Sequence, residues 1–321
     1  MTRPGVRFIV PEGVDDPERV SGGNVYDRRV RDGLAGLGWD VRMTEASDGG
    51  ALSAALDETP RGGIVLIDGL VAGWAPAAVE SAAASARVIV LAHMVTATAL
   101  GPATRVIATS AWTASELIRL GLADESRVTV AVPGAVDGPV SRGRAGELLC
   151  VGAVAPHKGQ DILLDALDRL RGLAWTCTVA GSRQTDPEFA RRIAVSAARF
   201  GSRVRMPGVL HAEALQAAYQ RAGLLIAPSR AESFGMAIAD ARRRGLPVIA
   251  AAVGGIPEAV AGGGALLVKA DDPTALAAAL ERWMTDPALR ARLRDEAAAA
   301  RPRAPRWSDT VERIDRVLEE A

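Results

Sequence analysis

The sequence predicts an α/β protein built from two doubly wound, Rossmann-like domains, and three observations carry that expectation. Short apolar runs rich in Val, Ile and Leu alternate along the chain with Ala/Leu/Arg segments of helical period. The runs fall into two sets of six, and "DGPVSRGRAGE", residues 137–147, lies between the sets. That segment is rich in Gly, Pro and Arg, lacks apolar periodicity, and reads as a linker. Near-continuous apolar strands separated by helices mean parallel sheets covered on both faces, and 321 residues suffice for two domains that each bury a core.

The first set comprises "VRFIV" (6–10), "VRMTE" (41–45), "IVLID" (64–68), "VIVLAH" (88–93), "RVIATS" (105–110) and "RVTVAV" (127–132). The second comprises "LLCVGA" (148–153), "TCTVA" (176–180), "RVRM" (203–206), "GLLIAPS" (223–229), "PVIAAA" (247–252) and "ALLVKA" (265–270). The expected domains are therefore 1–138 and 147–304. The last segment, "RWSDTVERIDRVLEEA", follows a Pro-rich break and reads as an amphipathic helix over 307–321. Ser308 is its expected N-cap, and the helix should pack across the domains and back onto the first. Ligands of such sheets bind outside the carboxyl ends of the strands, so two facing domains would place their sites on opposite walls of one cleft.

Bulk properties exclude several classes. Acidic and basic residues number 38 each, so no general field draws the chain to nucleic acid or anionic membrane. No apolar run is long enough for a signal peptide or a membrane span. Cys150 and Cys177 sit inside apolar strands and read as core thiols, which suits a cytoplasmic protein. Among the basic residues only Lys158 and Lys269 are lysines, so a lysine here is unusual by the chain's own standard.

Lys158 stands at an informative place. In "CVGAVAPHKGQDILLDAL" a buried strand leads through a short loop to Lys158-Gly159 and a helix from about Gln160. An ammonium and free backbone N–H groups at a helix N-terminus form an anion trap, and the compact charge of lysine suits a phosphate oxygen. The alternative is a surface lysine without function.

A second stretch, "SRAESFGMAIADARRRGLPVIA" (229–250), puts Glu232 in a loop before a helix over Met236–Arg244, capped by Gly245, with Asp240 one turn inside it. Both acids would serve equally as complements to the helix dipole. The N–H groups at Phe234, Gly235 and Met236 lack intrahelical acceptors. A carboxylate just ahead of them is badly placed for a phosphate but well placed for the hydroxyls of a sugar beside one.

The second half resembles the donor-binding domain of the family 4 retaining glycosyltransferases, which have the GT-B fold. "VGAVAPHKGQDILLDAL", "VAGS", "RVRMPGVL", "AYQRAGLLIAPSRAESFGMAIADARRRGLPVIA" and "VGGIPEAV" run in the family's order over about 120 residues. The resemblance implies a nucleoside-diphosphate sugar held there. Glu232 would meet the sugar hydroxyls, Asp240 the ribose, and Lys158 the diphosphate, helped by Phe234 to Met236. Gly181 and Ser182 of "VAGS" would belong to the donor site, and the backbone of Val209-Leu210 would line the base pocket. Two departures stand out: Ala153 replaces the family's common Arg, with Arg183 as a candidate substitute, and Asp240 replaces its second Glu.

In the first half, Gly22-Gly23 would be the family's loop near the donor phosphates, and His93, ending "VIVLAH", the residue beside the sugar. Without the family context the first reads as a plain turn and the second as a structural histidine. His157 and His211 read as surface loop residues. No Asp-x-Asp occurs, so no metal and no cofactor is expected. Only "MVTATALGPAT" (94–104) separates His93 from the next strand, which implies an acceptor side that is open, small, or completed by a second copy in a homo-oligomer. The absence of a basic amphipathic helix argues against a lipid acceptor.

The expected activity is retaining, metal-independent transfer of a hexosyl unit from a nucleotide-sugar to a small soluble acceptor, with His93, Glu232 and Lys158 catalytic. A nucleotide-sugar epimerase or hydrolase on the same fold, for which Asp27 is the further acid or base, and a non-catalytic sugar-nucleotide binder are the alternatives.

Overall fold

The computed structural model describes residues 3–96, 100 and 102–320. Residues 97–99 and 101, which belong to the short segment after His93, lie outside the described residues, as do 1, 2 and 321. Contacts divide the chain into two compact units: Met1–Asp16, Gly22–Gly134 and Pro305–Ala321 form unit 1, and Pro17–Ser21 with Ala135–Ala304 form unit 2.

Unit 1 runs β1 (Gly5–Pro11), α1 (Gly22–Gly36), β2 (Asp40–Ala46), α2 (Gly49–Asp57), β3 (Ile64–Asp68), α3 (Gly69–Ala72), α4 (Pro76–Ala83), β4 (Arg87–Ala92), β5 (Arg105–Ala108), α5 (Ala111–Arg119) and β6 (Val128–Val130). All six strands are parallel, in the order β2-β1-β3-β4-β5-β6. Successive side chains of a strand point to opposite faces, and here both faces are covered. Ile64 and Leu66 of β3 join one apolar cluster while Val65 and Ile67 join the other. That is why the run is apolar at every position rather than at alternate ones. Asp68 and Ser110 cap the helices that follow β3 and β5, accepting from the N–H groups of Leu70 and Thr113.

Unit 2 repeats the plan with β7 (Glu147–Val151), α6 (Gln160–Asp168), β8 (Thr176–Ala180), α7 (Pro187–Ala198), β9 (Val204–Gly208), α8 (Ala212–Arg221), β10 (Leu224–Ala227), α9 (Met236–Arg243), β11 (Val248–Ala251), α10 (Ile256–Ala259), β12 (Ala265–Val268), α11 (Pro273–Thr285) and α12 (Pro287–Ala300). Its parallel order is β12-β11-β10-β7-β8-β9. Strand order reverses at β7, so the loops after β7 and β10 leave the sheet side by side, the usual place for a ligand in such folds. The segment that reads as a linker has no regular structure but is tied down within unit 2. The N–H of Ser141 bonds the carbonyl of Arg244 at 2.9 Å, that of Arg142 bonds Gln220 at 3.0 Å, and the Trp283 indole donates to Ala145 at 2.8 Å.

The last helix, α13 (Trp307–Glu320), belongs to unit 1. Its buried stripe, Thr310, Val311, Ile314, Val317 and Leu318, has helical spacing and faces the sheet cluster. Val311 fits over Gly33 of α1, where an added Cβ would come within 2.3 Å of it, and the Thr310 hydroxyl donates to the carbonyl of Val132 at 2.7 Å. Ser308 is not the N-cap: the helix starts at Trp307, which puts Ser308 inside the first turn with its hydroxyl on Asp309. No helix among the described residues is long and apolar enough to cross a membrane.

Candidate functional site

In unit 2 the loops after β7 and β10 meet. The chain leaves β7 with Val154 N–H bonded to the carbonyl of Ser182, passes a short turn, and reaches Lys158 and Gly159. Gly159 has φ +69° and lies against β10, where a Cβ would fall 2.1 Å from the carbonyl oxygen of Pro228. Only glycine meets both demands, and it opens α6 directly behind the lysine. Lys158 Nζ then reaches the Glu232 carboxylate, 2.6 Å from Oε2, with both side chains partly exposed, 25% and 18%.

The Glu232 loop is held from behind. A Cβ on Gly254 would come 1.8 Å from the carbonyl oxygen of Glu232, and that oxygen accepts the N–H of Gly255 at 3.0 Å. Arg230 locks the two loops together. Its guanidinium donates to the Pro156 carbonyl at 2.7 Å, to Asp161 at 2.9 and 2.8 Å and to Asp271 at 2.8 Å, while its backbone N–H bonds His157. Burial works against the Asp161 carboxylate, but the hydrogen bonds and charge of Arg230 hold it below the ordinary range. Lys158, Gln160, Ser229, Glu232, Gly235 and Ile238 face one small hollow open to solvent. The first N–H groups of α6 and α9 border it, and Gly235, in the left-handed region, precedes α9. Cys150 also lines it, with burial pushing its thiol up to about 12, so it takes no nucleophilic part.

The remaining residues named for the donor are distributed as follows. Phe234 is buried and Met236 starts α9. Gly181 and Ser182 follow β8. The Gly181 N–H bonds the Gly208 carbonyl at 2.8 Å, and the buried Ser182 hydroxyl donates to Glu18 at 2.5 Å. Val209 and Leu210 are half-buried just past β9. Asp240 does not line the hollow: its carboxylate accepts the N–H of Val136 at 2.7 Å, with Arg244 beside it. Arg183 is committed to the Met206 carbonyl. His157 and His211 are exposed.

In unit 1, Gly22 and Gly23 are the first residues of α1, and His93 follows β4. His93 has a setting that sequence reasoning missed. Its Nε2 lies 2.7 Å from Asp27 Oδ1 and 3.4 Å from Asp68 Oδ2. Asp27, on α1, has no exposed surface, and its second oxygen has no hydrogen-bond partner. Tyr26 stands edge-on to the imidazole at 5.1 Å and donates its hydroxyl to Ala131 at 2.8 Å. Burial alone would lower the imidazole, but the charge and hydrogen bond of Asp27, with Asp68 behind, outweigh it and lift His93 to about 9. Burial raises Asp68 to about 6 against the pull of His93. The cluster therefore holds an imidazolium at neutral pH. Among the described residues these three also have metal-ligand spacing, their ligand atoms within 4.8 Å of one another; the Nε2–Asp27 hydrogen bond uses the imidazole nitrogen that a metal would need.

Arg230, Gly254 and Asp68 are the residues of these sites that motif reading passed over. Asp68 carried a visible signal, a carboxylate closing the otherwise apolar run "IVLID". Nothing local marked Arg230, since its partners lie 41 to 74 positions away.

Residues 145–286 match the family model described as glycosyl transferases group 1. The D-inositol 3-phosphate glycosyltransferase 1 of Catenulispora acidiphila is 35% identical over 240 residues, 67% of this chain and 57% of that protein. The D-inositol 3-phosphate glycosyltransferase of Acidothermus cellulolyticus is 34% identical over 240 residues, 67% of this chain and 53% of that one. The chain thus spans little more than half the length of these relatives. Among solved structures, the sucrose-phosphate synthase of Thermosynechococcus elongatus superposes with a TM-score of 0.82 at 21% identity, covering 99% of both chains. Anabaena HepE in complex with UDP-glucose superposes with 0.76 at 16% identity, covering 99% of this chain and 100% of that one. The fold is that of the GT-B glycosyltransferases.

Proposed function

We propose that this chain, whose residues 145–286 are a group 1 glycosyltransferase domain, transfers a hexosyl unit from a nucleoside-diphosphate sugar to a small acceptor with retention of configuration. The observation that carries this reading is the Lys158–Glu232 pair, 2.6 Å apart at one hollow bordered by two helix N-termini. The pair keeps Lys158 aimed into the hollow before any ligand arrives. A diphosphate brings more negative charge than one carboxylate and takes over the ammonium, with backbone N–H groups of α6 and α9 completing its shell. Glu232 is then released to accept hydrogen bonds from the sugar hydroxyls. As the bond to the leaving diphosphate breaks, the charge that develops meets donors already in position. This chemistry uses a lysine and helix termini and needs no metal. HepE was solved with UDP-glucose, and the D-inositol 3-phosphate in the relatives' name belongs in the acceptor panel.

A thermal-shift screen of UDP-, GDP- and ADP-sugars identifies the donor, because a ligand bound only by the native state raises the apparent stability. With that donor, NMR of the product reports the anomeric configuration, and a chelator leaves the rate unchanged. Inversion at the anomeric carbon, or loss of turnover on chelation restored by a divalent cation, refutes the corresponding part of the reading. Rapid consumption of donor without acceptor identifies a hydrolase or epimerase instead.

A further inference from the structure

Equal totals of acidic and basic residues conceal an uneven division of charge. Unit 2 holds 24 lysines and arginines against 18 acidic residues, a net of +6, and unit 1 holds 14 against 20, a net of −6. Part of the excess on unit 2 is gathered around Gly143, at the amino ends of β7 and β10. An added Cβ on Gly143 would fall 2.1 Å from the carbonyl oxygen of Arg221, and one on Gly223 would fall 1.9 Å from that of Arg144. The N–H of Arg142 bonds the carbonyl of Gln220 at 3.0 Å, and the Arg294 guanidinium donates to the carbonyl of Gly143 at 3.0 Å. Arg142, Arg144, Arg221 and Arg294 therefore converge on one glycine, and all four are exposed.

Carboxylates do not neutralise this cluster. Among the described residues none pairs with any of the four guanidinium groups. Glu147 is turned to the backbone N–H of Arg144 at 2.6 Å, Asp137 pairs with Arg243, and Glu296 holds Arg292 and the N–H of Gly264. Asp295 follows Arg294 in α12 and stands about 100° round the helix from it. Only Arg221 ends a helix and so complements its dipole; Arg142 and Arg144 lie outside any helix, and Arg294 precedes the last turn of α12. Along residues 140–145 exposure alternates: Val140, Arg142 and Arg144 are exposed, while Ser141, Gly143 and Ala145 are partly covered. Val140, 42% exposed, thus shares the outer face of this segment with the two arginines.

We propose that the arginine cluster around Gly143 docks unit 2 on an anionic lipid surface, with its guanidinium groups on the headgroup phosphates and Val140 among them. A guanidinium matches the geometry of phosphate oxygens, and arginine clusters of this size are drawn to the negative potential of such a surface. The donor hollow takes no part: it lies past the other end of β7, five residues away at roughly 3.3 Å each. The proposal is therefore independent of the glycosyl-transfer reading. Flotation with vesicles of phosphatidylcholine alone, or with about 30% phosphatidylglycerol, tests it at about 50 and 300 mM salt. Binding to the anionic vesicles is expected to exceed that to the neutral ones at least tenfold at low salt, and to weaken at high salt. The double variant Arg142→Glu/Arg144→Glu is expected to lose at least tenfold in binding to anionic vesicles, with an unchanged circular dichroism spectrum and unfolding midpoint. An equal reversal of charge on α7, Arg191→Glu/Arg192→Glu, is expected to leave most of the binding in place. Equal binding to both kinds of vesicle, no binding to either, undiminished binding of the Arg142/Arg144 variant, or equal losses in the two variants overturns the proposal. Tripolyphosphate bound through Arg142 and Arg144 by a chain that leaves the vesicles alone overturns it as well, and assigns the cluster to a soluble anion.

Discussion

Units 1 and 2 are built on the same doubly wound plan, yet they hold charge in opposite ways. In unit 2 an ammonium and a carboxylate meet at a solvent-open hollow, and either can exchange its partner for a ligand group. In unit 1 an imidazole and two carboxylates are packed under Tyr26, with one carboxylate wholly enclosed. A pair at a solvent-open hollow stabilises a fold less than an enclosed one, because water reaches and screens its charges. A buried cluster has its desolvation cost offset only by its own partners, so removing one member is strongly destabilising. Unit 2 therefore suits charge that must be exchanged, and unit 1 charge that must stay fixed.

The comparison can be broken by single substitutions, beginning with the largest expected effect. Lys158→Ala removes a pre-aimed charge, and transfer should fall by a factor on the order of 10³ or more. Its unfolding free energy should stay within about 1 kcal/mol of the parent. Chemical denaturation alongside a turnover assay checks both, and a Lys158→Ala protein of full activity refutes the donor site. Asp27→Ala should do the reverse in kind, costing about 3–5 kcal/mol of stability because it leaves the His93 charge enclosed. A loss below about 1 kcal/mol means that His93 is neutral in the folded protein.

Arg230→Ala sharpens the comparison within unit 2. Arg230 touches neither charge of the pair but ties the Lys158 turn to the Glu232 loop, so it is a positioning residue. Its loss should raise the donor KM by about tenfold, equivalent to roughly 1.4 kcal/mol, with a smaller change in kcat. An unchanged KM means that the loops hold themselves.

The pH dependence follows from the raised His93 value. The imidazolium is favoured in the folded state, so its stabilisation is complete below the ordinary 6.5 and is lost as pH rises through about 9. Asp68, raised from 3.8 to about 6, also loses stabilisation as pH rises, but between those two values and so below the His93 range. The melting temperature should fall between pH 7 and 9.5. Asp27→Asn should flatten that slope, and an equal slope in both proteins contradicts the charged cluster. The smallest effect is expected from Asp240→Ala, about 1 kcal/mol of stability through loss of the Val136 hydrogen bond. A large accompanying rise in donor KM would return Asp240 to the ribose role that the family resemblance implies.

Much of this architecture is legible in the residues alone. The family resemblance, the GT-B fold and the alternation of strands and helices that the sequence predicts are borne out, and each of the 12 apolar runs holds a strand. The reason is local: a strand covered on both faces must be apolar at consecutive positions, as "IVLID" is, and a helix must follow a 3.6-residue stripe, as the last segment does. Motif order likewise singled out Lys158 and Glu232, because a lysine before a helix and a glutamate before another leave a recognisable local pattern. Other features exist only through contacts between distant positions. Asp27 on α1, Asp68 at the end of β3 and His93 just past β4 lie up to 66 positions apart, and nothing near any one of them reports the other two. The turning of Asp240 toward Val136, the clamp of Arg230 and the close fit of Gly254 against Glu232 have the same origin. Periodicity records which face of an element is buried, but the chemistry of a side chain depends on what stands within a few ångströms of it, and the packing of strands and helices decides that.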